Sequence, residues 1–190
     1  MTAAKNWDGM VESSARLLQR RTGAGVAEWN ARVRDSGIDT EPELRAWLAE
    51  RGVTGYAQML LVMERFGYPD FMLASADELI DGQYADRPRL RPVLERILAV
   101  AATLGEVTVQ ARKTYVSLVG PRRTFAIVRP TTRQRVDLGL RLPDAPAGAR
   151  VAPATSLGND DIKVRIGLAG VAEVDDEVVE WLRRAYESNA

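Results

Sequence analysis

The sequence contains no cysteine and no histidine. Those absences exclude thiolate nucleophiles, disulfides, Cys/His zinc sites, imidazole acid–base chemistry and histidine ligation of haem. Lysine is nearly missing too: only Lys5, Lys113 and Lys163 accompany 23 arginines. There is no long apolar run, since Met59–Met63 and Ile97–Leu104 fall far short of the roughly 20 residues that span a bilayer. The first ten residues, MTAAKNWDGM, carry no apolar stretch or small-residue cleavage pattern, so a cytoplasmic protein without membrane association is expected. No Gly-x-Gly-x-x-Gly, Gly-Lys-Ser/Thr loop or nucleophile elbow occurs.

What remains is a chain of 190 residues, 46% apolar and 27% charged, with globular composition. Its formal net charge is zero, but the charge is unevenly placed. Residues 1–78 carry 9 basic and 12 acidic groups, residues 79–142 carry 12 and 5, and residues 143–190 carry 5 and 9. The central third is therefore strongly basic, which suits attraction of an anion.

The first half reads as helices. Trp29 and Val33 share one helical face, and Thr40-Glu41-Pro42-Glu43 has the form of a capping box opening a helix through Leu44, Trp47 and Leu48. Gly52 suits a left-handed C-terminal stop, and Thr54 stands at the cap of the next helix, GYAQMLLVMERFG. That fourth helix is apolar almost all round, so it needs cover on several sides, from the rest of the chain or from a homodimer partner. Ser75 to Glu78 form a second capping box, and a long helix is expected from Pro88 or Pro92 to Gly105.

After Glu106 the period changes to two. Strands are expected at Val107–Val109, Thr114–Val119, Thr124–Val128, Val136–Leu142 and Lys163–Leu168, with Pro143–Asp160 as a long loop or lid. In the last two strands Asp137, Gly139, Arg141, Lys163, Arg165 and Gly167 alternate with apolar residues and are expected to face solvent. Asp175-Asp176-Glu177 begins a closing helix with Val178, Leu182, Ala185 and Tyr186 inward.

Two segments resemble known families. Trp29, Trp47, Leu48, Gly52, Gly55 and Ala57, at their spacing, resemble a small helical bacterial domain of unknown function. Lys113, Tyr115, Val116, Ser117, Phe125, Ala126, Arg129, Pro130, Leu138, Leu140, Ala185 and Tyr186 resemble a second uncharacterised bacterial domain, which often follows the first and is sometimes labelled transport-related. The resemblance implies a tandem arrangement, with boundaries at 1–73 for the helical module and 74–190 for the second domain.

The expected fold is α+β: an N-terminal helical module packed on an antiparallel sheet of four or five strands, flanked by a long helix and a C-terminal helix. A helix-turn-helix at Gly52 is disfavoured, because the following helix offers only Gln58, Glu64 and Arg65 to read bases. The expected function is non-catalytic binding of an anionic ligand or nucleic acid on the basic sheet. Lys113, Arg123, Arg129, Arg141 and Arg165 are its candidate contacts, since guanidinium groups match phosphate and carboxylate. The alternative is a small apolar molecule held between the helical and β parts by Trp29, Trp47, Tyr56 and Tyr115. No metal or cofactor is implied by any residue cluster.

Overall fold

The computed structural model describes residues 3–5, 7–143, 150–155 and 157–190. The chain divides into two compact units, one of Asn6–Ala74 and one of Ser75–Ala190 together with Met1–Lys5. Among the described residues no helix is long and apolar enough to cross a membrane.

The first unit holds α1 (Trp7–Thr22), α2 (Val26–Asp35), α3 (Glu41–Glu50), α4 (Gly55–Phe66) and the single turn α5 (Asp70–Leu73). Helix α4 lies against α1, α2 and α3. Its Ala57, Leu61 and Val62 join a core with Leu18, Trp29, Val33, Leu44, Leu48 and Val53. These faces are covered by helices of the same unit, so they supply no argument for a partner chain. The turn before α4 depends on Gly52, whose φ of +76° lets the Val53 N–H reach back to the Leu48 carbonyl at 2.9 Å. The capping box expected at α3 does not form: the Thr40 hydroxyl donates to the Glu43 carboxylate at 2.6 Å instead of accepting from the helix backbone. An exposed hydroxyl beside an anion gains a charge-assisted bond, which competes with the cap. Thr54 likewise makes no side-chain cap bond.

In the second unit, β1 (Ala3–Lys5) is followed by α6 (Ala76–Tyr84), a 3-10 turn at Pro88–Leu90 and α7 (Arg91–Ala101). Strands β2 (Thr108–Ala111), β3 (Val116–Val119), β4 (Thr124–Pro130), β5 (Val136–Leu140), β6 (Val151–Pro153) and β7 (Val164–Leu168) come next, and α8 (Asp176–Glu187) closes the chain. The sheet order is β1-β2-β3-β4-β5-β7-β6, antiparallel throughout except for the parallel pairing of β1 with β2. The fold is thus α+β, with seven strands among the described residues where four or five were expected. The additional strands, β1 and β6, are three residues long, too short for periodicity to signal. Strand β6 falls inside the segment read as a loop; residues 144–149 and 156 of that segment lie outside the described residues. Ser75 does form its capping box with Glu78, at 3.2 and 2.7 Å.

Helix α8 packs on β4 and β5, and α6 packs on β2. The apolar residues Val116, Leu118, Ala126, Val128, Leu138, Leu140, Ile166 and Leu168 are all buried. A shift of register between Leu118 and Val119 makes Phe125 the extra residue of a bulge, and its ring meets Tyr186 edge-on at 5.3 Å.

The opposite face departs from the sequence reading. Every residue of β5 is buried, Asp137 at 2% exposure included, so this is not a solvated face. Strand pairing sets Asp137 opposite Gly167 and Gly139 opposite Arg165, so each charged side chain crosses a bare strand position. The segment after β6 lies over Gly139, where a Cβ would stand 2.6 Å from Ile162 and 2.8 Å from Leu157. Ile127, Leu157 and Ile162 form a small core there with Tyr115 and Ala154. The Tyr115 ring rests on Gly158, which has a φ of +99° and whose carbonyl accepts from the Tyr115 hydroxyl at 3.2 Å.

Candidate anion-binding cavity

Beside that small core the same face opens into a cavity of about 580 Å³. Its floor is built on Asp137. The Asp137 carboxylate accepts from the Thr131 hydroxyl at 2.8 Å, from Arg135 Nη2 at 3.2 Å and from Arg165 Nη1 at 3.2 Å, while Arg135 Nε lies 2.9 Å away. Two guanidinium groups therefore share one buried carboxylate. Such a carboxylate cannot be rehydrated in place, so it fixes the two arginines rather than merely neutralising them. The Arg135 stem reaches this position by lying across Gly167, where a Cβ would come within 2.8 Å of its Cδ. Any other residue at 167 would push the stem away.

One wall comes from the turn after β4. Arg87 holds it, donating from Nη1 to the carbonyls of Pro130 and Thr132 at 2.8 and 3.1 Å. The remaining edge of that guanidinium is bound to Asp86, at 2.6 and 3.1 Å. Those bonds hold the Asp86 carboxyl below the ordinary aspartate range, with Arg133 adding a smaller attraction. Arg87 is thus spent on the wall. A second wall is the turn between β2 and β3, pinned by Gln83, whose Nε2 donates to the carbonyls of Arg112 and Tyr115 at 2.8 and 3.2 Å. Both acceptors being carbonyls, the amide orientation is forced. Lys113, Thr114, Arg129, Thr155 and Leu157 complete the lining.

The structure brings Lys113, Arg129 and Arg165 together here and leaves Arg123 and Arg141 elsewhere, in a cavity near the end of α8. Of the aromatic candidates, Trp29 and Trp47 meet edge-on at 6.3 Å in the helical unit, beneath Arg32 and Arg51. Tyr56 is exposed and lines a different groove of that unit with Met10 and Leu17, whereas Tyr115 belongs to the sheet unit. Sequence reasoning missed Gln83, Arg87, Arg135 and Asp137 as parts of the site. The signal that could have found them is a glycine at an alternating position in each of two strands, Gly139 and Gly167, which marks close approach by something else. Among the described residues no cluster of three or more carboxylates offers a metal site.

Residues 80–189 match the domain of unknown function DUF5655. The chain belongs to that family. All the cavity residues lie within the matched range, from Gly82 to Arg165, so the site is a feature of the DUF5655 part of the chain. No curated protein and no solved structure matches the chain.

Proposed function

We propose that this DUF5655 chain is a binding protein for a small anionic ligand carrying phosphate or carboxylate groups, held in the cavity over Asp137. The observation that carries the reading is the pair Arg135 and Arg165, fixed by one buried carboxylate, in a hollow also lined by Lys113 and Arg129. Pre-set guanidinium forks bind oxyanions without first losing side-chain freedom. The volume is that of a small-molecule site. A nucleic-acid strand fits less well, because among the described residues no tryptophan, phenylalanine or tyrosine lines the cavity for base stacking. A neutral apolar ligand has less support still: the groove beside Trp29 and Trp47 is rimmed by Arg21, Arg32 and Arg51.

Calorimetric titration of the full chain with inorganic phosphate and pyrophosphate tests the reading. Saturable binding that weakens with added salt, and is lost in Arg165→Glu, is the expected result. Absence of saturable binding below about 10 mM, an affinity of only ~3 kcal/mol, would sink it.

A further inference from the structure

The cations of the cavity over Asp137 are spread across it rather than gathered at one point. Arg135 and Arg165 both close on the buried carboxylate, at 2.9 and 3.2 Å. Lys113 belongs to the second wall, in the turn that leads into β3, while Arg165 stands on β7. Strands β4 and β5 run between β3 and β7, so the backbone at those two places is about 14 Å apart at the usual strand spacing. Arg129 is paired with Asp137 across β4 and β5, and so adds its charge on the same face. Resting on the anion-binding reading above, we infer that the ligand carries two anionic groups on a hydroxylated scaffold, and is of the sugar bisphosphate class.

Volume, charge and lining each narrow the ligand. A cavity of about 580 Å³ takes an organic molecule rather than a bare inorganic anion. Arg87 is bound to Asp86, and beside it four cations line the cavity against the one carboxylate of Asp137. A phosphate monoester brings a charge of about −1.5 to −2 at pH 7, so a single one balances part of that excess and two balance it. With one phosphoryl group on the Arg135–Arg165 pair, the second is placed by Lys113 and Arg129, whose donors must come within about 3 Å of its oxygens.

The lining also holds Thr114, Thr132 and Thr155. A threonine hydroxyl both donates and accepts, so it pairs with a sugar hydroxyl in either sense. Among the described residues no aromatic ring lines the cavity, which removes the surface on which a base would stack. A hydrocarbon scaffold would cover the threonine hydroxyls without answering them.

The test is calorimetric titration of the full chain with fructose 1,6-bisphosphate, fructose 6-phosphate, pyrophosphate and 1,6-hexanediol bisphosphate. The sugar bisphosphate is expected to bind about ten-fold or more tightly than each of the other three, because the second contact is made within one complex. Lys113→Ala should bring the ratio between the sugar bisphosphate and the sugar monophosphate toward one. Lys113 is an exposed turn residue, so this variant keeps the fold. Arg165→Glu should abolish binding of both sugars. Pyrophosphate binding as tightly as fructose 1,6-bisphosphate would show that total charge alone is read, and would overturn the two-ended ligand while leaving the anion site in place. Equal binding of 1,6-hexanediol bisphosphate would overturn the sugar scaffold, and an unchanged ratio in Lys113→Ala would overturn the second anchor. No saturable binding of any of the four would overturn the anion-binding reading and the sugar bisphosphate together.

Discussion

Replacing Asp137 by asparagine tests whether a single buried carboxylate organises the first cavity. The change keeps the shape, removes the charge and turns one acceptor into a donor facing Thr131 or the guanidinium groups. Removing one partner of a fully buried ion pair costs about 3–5 kcal/mol. Here only the carboxylate is sealed: side-chain exposure is 3% for Asp137 but 42% for Arg135 and 27% for Arg165, so water recovers part of the loss on the arginine side. We therefore expect a loss of about 2–3 kcal/mol, or about 5–10 °C in the melting of the sheet unit. Urea unfolding and differential scanning calorimetry read it directly. Anion affinity supplies a second and sharper reading, because two effects oppose each other. Removing a negative charge should strengthen phosphate binding if the cavity acts only through its net field. It should weaken binding if Asp137 acts by holding Arg135 and Arg165 in place. We expect weaker binding. A stability loss under about 0.5 kcal/mol, or tighter phosphate binding, would refute the positioning role.

Three further outcomes follow from other residues. Gly167→Ala sets a methyl within 2.8 Å of Arg135 Cδ, and should lower phosphate affinity in calorimetry more than it lowers the unfolding midpoint, since the arginine stem can move aside. Tyr84→Phe should raise stability by about 1 kcal/mol in urea, because the buried Tyr84 hydroxyl has no hydrogen-bond partner among the described residues and burial pushes its pKa up. The carboxyl of Asp175 is held below its ordinary pKa, first by the Val178 N–H and then by Arg150. Its contribution is therefore present above the unfolded value near 3.9 and lost as pH falls through the lower folded value, so Asp175→Asn should flatten the acid limb of a stability–pH curve.

The strands that carry the site were legible because their alternation is strict. Lys163 to Leu168 and Val136 to Leu142 announce β7 and β5, and Ser75 and Gly52 mark a helix start and a helix stop that the structure keeps. Period two separates the faces of a strand but says nothing about what covers the second face. Leu157 comes from a segment whose proline, alanine and glycine content reads as loop and Ile162 from just beyond it, and their seat over Gly139 depends on pairing between distant strands. Hence Asp137 was read as a solvated residue. Arg135 escaped for a related reason: it lies outside the strand bounds, in the turn, and only the fold lays its stem across Gly167. Strand β6, with three residues at the sheet edge, carries too little pattern to be separated from a loop.

The opposition of Asp137 to Gly167 and of Arg165 to Gly139 gives a rule for sorting other DUF5655 sequences. A chain with aspartate and glycine two apart in one strand, and arginine and glycine two apart in its neighbour, retains both the charges and the room they cross. A chain with valine or isoleucine at either glycine position has that room filled by hydrocarbon, whatever its surface charge. Divergence within the family can thus be read from two positions that carry no side chain at all.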